Sequence, residues 1–401
     1  MFVLNSLDRP SPEIRLGERI RLAREMAGFT QSEAAQSLGI TAAALSQYES
    51  GKRRIEALTV DRLARLYGVP VTYFFVEVST SDQPPMQPDW ETALRTLANH
   101  LAIAGKTGIA KLIQQIHNFE ELYQLTATPF PGKPHPPFAA LGKENFTDYE
   151  VAEFAQKARR YYNLGIAPLL NVKGFLDAQG YQVFAIALGL EKTDISGLFF
   201  LHPQLGPVVV FNENQAYIRS QITLCHEIAH HLFHWDRPAI LCRDSARADL
   251  LEDFANRFAS YFLIPPEGLQ ERLEVMGIKT VKHPEQATHI ARYFGVSYQA
   301  TIYRLEADRK LGAPIETFTD NVKPMAIAKS LGYGPSPYQF GVRPLPPEER
   351  LPRIFVELSY RALTQEILSL RRVAEILGIS DLELEDRLYE EEVADSAEVY
   401  V

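Results

Sequence analysis

Cysteine is almost missing from this chain: Cys225 and Cys242 are the only two in 401 residues. Two thiols cannot build a disulfide framework, and without a CxxC pair there is no structural zinc clip of the usual spacing. A reducing compartment fits such usage best. Long apolar runs are missing too, since no stretch approaches the roughly 18 residues that a membrane helix needs. Residues 1–12 hold no basic segment followed by an apolar one, so no secretory signal is read there. The expectation is a soluble, cytoplasmic protein without a membrane partner. An excess of positive charge is also lacking, with 41 Lys and Arg against 50 Asp and Glu and a net charge of -9. That excludes a wholly basic nucleic-acid coat, so any DNA contact must sit on a local patch.

What remains is ordinary globular material. Apolar residues make up 46% of the chain, enough for sizeable cores, and the length fits two or three domains. Short helical patterns run from about 13 to 75, with turns at Gly28, Gly39, Gly51 and Gly68. Residues 79–88 are polar and proline-rich and read as a linker. Residues 90–125 are again helical in pattern, and 129–137 form a second, proline-rich breaker. Beyond it an amphipathic helix is expected over 148–162. Strands are expected at 181–187, 198–201 and 208–211, then strong helices over 220–233 and 248–263. Helices continue through 287–311, residues 314–347 read as loop-rich, and two more helices precede an acidic end.

The first helical block carries a detailed pattern. Thr30 can cap a helix starting at Gln31, with Glu33 in its first turn. Ala34, Ala35 and Leu38 supply its inward face, and Gly39 permits the tight turn of a helix-turn-helix. Thr41 can cap a second helix, 42–49, and is also expected among the DNA-contacting residues. Leu45 and Tyr48 would face the core, leaving Ala42, Ala43, Ser46 and Gln47 outward. A recognition helix offers its N-terminal residues to base edges while nearby cations and amides hold phosphates. Ser46 and Gln47 are the best base readers, and Ala42 and Ala43 offer only apolar contact, as with a thymine methyl. Gln31, Lys52 and Arg53 read as phosphate contacts. Thr30-Gln31, the Gly39 turn, Ser46, Glu49-Ser50-Gly51-Lys52 and the closing Leu66-Tyr67-Gly68-Val69 resemble the XRE-type, lambda-repressor-like helix-turn-helix family over residues 14–76. The resemblance implies double-stranded DNA as a partner. A homodimer would fit paired half-sites. The departure is Ala42-Ala43-Ala44, which leaves few specific donors. The bland alternative is a small helical bundle used for protein contact.

The second pattern is His226-Glu227-x-x-His230. Residues four apart share one face of a helix, so two imidazoles can bind one zinc ion while Glu227 lies beside the water it would activate. A catalytic zinc needs a third protein ligand. Glu252 on the following helix can provide it, and Asn256, one turn on, can hydrogen-bond a ligating histidine. Phe254, Phe258, Tyr261 and Phe262 give that helix an apolar face. His231 and His234 are rival ligands, with His234 one turn too far from Glu227. Cys225 and Cys242 could bind metal in principle, but Cys225, next to His226, reads as a buried apolar thiol. His202, His283 and His289 read as ordinary surface or half-buried residues. Asn256 could equally serve as a mere helix bridge.

The HEIAH motif, Glu252-x-x-Ala255-Asn256-x-Phe258-Ala259, the following Leu263-Ile264-Pro265, Phe294-Gly295-Val296-Ser297 and Arg304-Leu305 resemble the ImmA/IrrE metallopeptidases over about 145–312. The resemblance implies His226, His230 and Glu252 as zinc ligands and Glu227 as general base. It also implies a repressor protein as substrate, cleaved under stress or DNA damage or in control of a mobile element. The rival is a non-proteolytic XRE-type transcription factor whose metallopeptidase-like domain senses a ligand or partner. Some regulators with this domain pair act in short-chain fatty-acid metabolism. They carry a cysteine-containing C-terminal region, whereas residues 313–401 here contain no cysteine.

The expected architecture is therefore α+β. An all-α helix-turn-helix domain spans 13–76, and a linker with a helical segment spans 77–144. A zincin-like metallopeptidase domain with a small sheet spans 145–312, and a helical C-terminal region spans 313–401. Within the last, residues 369–388 outline another helix-turn-helix with Gly378 at the turn. Its second helix carries Asp381, Glu383, Glu385 and Asp386, which would repel phosphate, so a helical cap or dimerisation element is the preferred reading.

Overall fold

Several helix starts in this protein are written in side-chain oxygens. In the computed structural model, Ser11 caps α1 (Pro12–Met26) and Thr30 forms a capping box with Glu33 at α2 (Gln31–Leu38). Thr41 Oγ1 accepts from Ala44 N at 3.1 Å to start α3 (Ala42–Glu49). Each cap satisfies amide hydrogens that the first helical turn leaves without partners. Gly39 ends α2 at φ 66°, a left-handed backbone that L side chains rarely adopt. The structure describes residues 11–75, 89–132, 138–141, 145–189, 195–235, 239–243, 249–334 and 345–398. The linker expected at 79–88 lies outside them, as does most of the 129–137 breaker.

Two compact units emerge. The first holds α1 to α3, α4 (Ala57–Tyr67), α5 (Asp89–Ala98) and α6 (Ile103–Leu125). Ile20, Ala23, Phe29, Ala34, Ala35, Leu38, Leu45 and Leu63 are buried together as its core. A buried polar knot crosses that core. Arg24 Nε donates to Glu49 Oε1 at 2.6 Å, its Nη1 to Phe29 O at 2.8 Å, and Gln31 Nε2 to Glu49 Oε2 at 2.8 Å. The knot ties α1, α2 and α3 and so fixes how α3 is presented.

The second unit is built on a four-stranded sheet in the order β1-β3-β2-β4. It begins with α7 (Asp148–Tyr161), α8 (Val172–Ala178), β1 (Gln182–Ile186), β2 (Ile195–His202) and β3 (Gly206–Asn212). There follow α9 (Tyr217–Phe233), β4 (Ala239–Arg243) and α10 (Leu250–Leu263). β2 pairs antiparallel with β3, Leu198 opposite Val210, and antiparallel with β4, Gly197 opposite Cys242. Every residue of β3 is buried, so its valine run carries no alternation. Helix α9 lies across β2 and β3 and packs on α10, which also packs on α7. Phe233, Phe254, Phe258 and Phe262 fill the space between them, Phe258 and Phe262 stacked at 5.4 Å.

The chain continues through α11 (Pro266–Val275), α12 (Pro284–Phe294) and α13 (Tyr298–Ala307). Then come the short α14 (Glu316–Thr319), α15 (Pro324–Ser330) and α16 (Pro347–Arg350), and α17 (Arg353–Thr364). The last two helices, α18 (Leu370–Leu377) and α19 (Asp381–Glu398), lie in the first unit and meet through Gly378 at φ 67°. The helix–turn–helix outline at 369–388 is thus real as backbone. Its exposed Asp381, Glu383, Glu385 and Asp386 present acid to solvent.

Several expectations need correcting. α9 begins a turn earlier than Ser220, because Tyr217 and Ile218 continue the helical backbone without a capping side chain. α8 and β4 were not anticipated, being too short to show a period. Among the described residues the segment 314–347 holds the short α14 and α15 and the start of α16, and three helices rather than two follow Pro352. His202 is fully buried, not superficial, since its Nδ1 accepts from the backbone N–H of Gln204 and Leu205 at 3.2 and 3.1 Å and so closes the β2–β3 turn. Among the described residues no helix is long and apolar enough to cross a membrane.

The Arg24 knot yields a stability prediction. Arg24→Ala leaves Glu49 buried without its cation, which should cost the first unit about 3–5 kcal/mol. Hydrogen exchange of α1–α3 amides should accelerate accordingly, while Arg24→Met with Glu49→Leu should recover much of the protection. Unchanged exchange in the single variant would show that the knot is not stabilising.

Candidate metal centre and DNA-facing helix

The centre follows from helix geometry. His226 and His230 are one turn apart on α9, and Glu252 sits in the first turn of α10, behind the Asp249 cap. Packing of α9 against α10 turns all three inward. The Nε2 atoms of His226 and His230 stand 3.0 Å apart, with Glu252 Oε2 at 3.3 Å from the first and Oε1 at 3.5 Å from the second. Asn256 Oδ1 lies 3.0 Å from His226 Nδ1. An amide oxygen only accepts, so Nδ1 carries a hydrogen there and Nε2 is the ring atom turned toward Glu252 and His230. His230 Nδ1 is engaged by His234 Nδ1 at 2.9 Å.

The electrostatics fit a cation. Burial pushes His230 down to about 4, against the pull of Glu252, so this ring is neutral at physiological pH. Burial also acts against the charged form of His226, but its hydrogen bond to Glu252 and the neighbouring carboxylate charges outweigh that and raise it. Burial tends to raise Glu252, and the two imidazoles overcome this and hold it well below the usual carboxylate range. Paired nitrogens at this distance share a hydrogen or turn together toward a cation. Two imidazoles and a carboxylate suit zinc.

Glu227 sits beside this set, wholly buried, with burial raising its carboxyl to about 8. Its Oε1 is buried without a hydrogen-bond partner among the described residues. Gly197 on β2 makes room for it, since a Cβ there would stand 2.6 Å from Oε1. Cys242, on β4, donates its thiol hydrogen to Glu227 Oε2 at 3.3 Å. The ligand atoms of His226, His230, Cys242 and Glu252 all lie within 4.8 Å of one another. A cleft of about 910 Å³ opens from this centre, lined by His226, Glu252, Asn256, Ser196, Tyr261 and Arg304 among others.

The expected set of His226, Glu227, His230, Glu252 and Asn256 is thus brought together. Sequence reasoning left Cys242 out of this set, because only the pairing of β4 with β2 carries it there. His231 points elsewhere, its Nδ1 hydrogen-bonded with Tyr181 Oη at 2.6 Å. His234 supports His230 rather than joining the cluster. Cys225 is buried in the core, and burial pushes its thiol up.

On the first unit, Ala42, Ala43, Ser46 and Gln47 are exposed along α3, and Lys52 and Arg53 are exposed just after it. Arg53 rests over the Tyr48 ring at 5.3 Å. The Thr41 hydroxyl is used as the cap, and Gln31 is half-buried with its amide nitrogen on Glu49.

Two segments match known families. Residues 176–306 match a peptidase-family model described as an IrrE N-terminal-like domain, and residues 20–74 match a helix-turn-helix model. The chain therefore joins a helix-turn-helix segment to an IrrE-like segment. It is 36% identical over 74 residues to uncharacterized HTH-type transcriptional regulators of Sinorhizobium medicae (strain WSM419) and Rhizobium meliloti (strain 1021), covering 18% of this chain and 53% of each relative. It is 43% identical over 58 residues to the HTH-type transcriptional regulator ImmR of Bacillus subtilis (strain 168), covering 14% of this chain and 46% of the relative. The chain spans about half the length of these curated relatives.

Asn256 offers a test that does not touch a ligand. Asn256→Ala should weaken metal affinity about 10–100-fold, as expected for a group that orients a ligating histidine. Competition with a chromophoric chelator measures this, and unchanged affinity would reduce Asn256 to a helix bridge.

Proposed function

We propose that this chain is a DNA-binding zinc metallopeptidase that cleaves a transcriptional repressor. The observation that carries the reading is the convergence of His226 Nε2, His230 Nε2 and the Glu252 carboxylate beside a buried Glu227. These three side chains would hold zinc. When bound, the ion supplies Lewis acidity toward a peptide carbonyl and toward water.

The remaining work falls to this chain's own residues. Glu227 takes a proton from water on its carboxylate and passes it to the leaving amine, a role suited to its place beside the cluster with Oε1 left without a hydrogen-bond partner among the described residues. Asn256 keeps the His226 ring oriented through Nδ1, and His234 does the same for His230. The cleft beside α10 and α13 would hold an extended stretch of substrate. A repressor substrate is what the resemblance to the ImmA/IrrE metallopeptidases implies, and the helix-turn-helix segment on the same chain is in keeping with it. On DNA, Ser46 and Gln47 would read bases, with Ala42 and Ala43 beside them against apolar groups. Lys52 and Arg53 would hold phosphate, and Thr41 and Gln31 would serve chiefly to present α3.

Incubation with repressors encoded in the same genome tests the peptidase reading. Cleavage should stop with a chelator and in Glu227→Gln, which should keep its metal. Equal cleavage by that variant would overturn the mechanism. For DNA, Gln47→Ala should cost about 1–3 kcal/mol at one base pair. Arg53→Ala should weaken binding across sequences and lower the salt slope by about one. Unchanged affinity in the double variant would remove α3 from the interface.

A further inference from the structure

Cys242 is one of two cysteines in the chain, is completely buried, and has no part in the water-activating machinery proposed above beyond its hydrogen bond to Glu227. It arrives on β4, the strand at the end of the sheet. Its partner across the ladder is Gly197, and directly opposed residues face the same side of a sheet. Gly197 faces Glu227 Oε1 and the Thr223 methyl on α9, so the Cys242 side chain is aimed at the same helix. The result is a sulfur within 4.8 Å of the two imidazole nitrogens and the Glu252 oxygen.

We infer that Cys242 is a fourth protein ligand to the metal, delivered by β4, and that it keeps the centre closed until that strand moves. The inference rests on the metallopeptidase reading and adds a form of regulation to it. The donor chemistry supports this: zinc prefers four-coordinate tetrahedral surroundings and takes thiolate readily alongside imidazole and carboxylate. Three protein donors leave one position, and among the described residues Sγ lies within 4.8 Å of all three. On coordination the thiol hydrogen, which points at Glu227 Oε2, leaves to solvent as a proton. Closure by sulfur has two consequences. No position remains for water, so the peptidase is latent, and Glu227, having lost the thiol hydrogen at Oε2, faces a bound thiolate where its water would stand. Opening requires only that β4 withdraw Cys242, since His226, His230 and Glu252 come from α9 and α10 and stay in place.

Cobalt(II) reports this without reference to activity. The full chain is stripped with a chelator and reconstituted with cobalt alone. Wild type should show a near-ultraviolet thiolate-to-cobalt charge-transfer band. Cys225→Ala should keep the band, which by itself assigns the sulfur to Cys242 even if Cys242→Ala folds poorly. Folded Cys242→Ala should bind cobalt, lose the band and cleave a repressor faster than wild type. Cobalt binding by wild type without the band would overturn the inference and leave the three-ligand reading standing. A band lost in Cys225→Ala would also overturn it. Failure of folded wild type to take up cobalt would overturn both, a result distinct from the other two.

Discussion

Two imidazole nitrogens held 3.0 Å apart in a buried setting, with a carboxylate against both, form an arrangement that a shared hydrogen or a bound cation satisfies. The second unit is organised to impose it. Helix α9 supplies both rings at one-turn spacing, and aromatic packing of Phe233 against Phe254 and Phe258 sets α9 against α10. That contact fixes where Glu252 stands. Asn256, on the same face of α10, orients His226 through the ring atom that faces away from the centre. The sheet completes the enclosure, with Gly197 giving Glu227 its space and β4 bringing a sulfur.

The same economy appears in the first unit. Arg24, Gln31 and Glu49 form one buried polar knot, and the residues outward on α3 depend on it without taking part. This separation of scaffold from surface is why α3 can present two plain alanines and still be a defined shape. On the proposed DNA-binding reading, steric fit and the cations just beyond α3 would matter more than a dense set of hydrogen-bond donors.

Legibility in the sequence followed the range of the interaction. Thr30, Gly39 and Thr41 were readable because caps and turns act within a few residues. His226, Glu227 and His230 were readable because their relation is a helical repeat, and Glu252 because the next amphipathic helix had to cover the same core. Cys242 was not placed, because its position depends on strand pairing across 45 residues of sequence from Gly197, which no local period encodes. His202 was misjudged for a similar reason: its burial comes from capping a turn whose closure is visible only in the fold. Gln31 was read as a phosphate contact from its place at a helix start, and its bond to Glu49 arises only when α3 packs against α2. The notion of an acidic, helix-turn-helix-like pair at the C-terminal end was correct as backbone, since Ser369 and Gly378 are local signals too.

Zinc K-edge X-ray absorption on the purified full chain bears most directly on the centre. The account predicts a four-coordinate ion with two imidazole nitrogens and a carboxylate oxygen at about 2.0–2.2 Å. Absence of zinc, or a shell of oxygens without imidazole scattering, would contradict it.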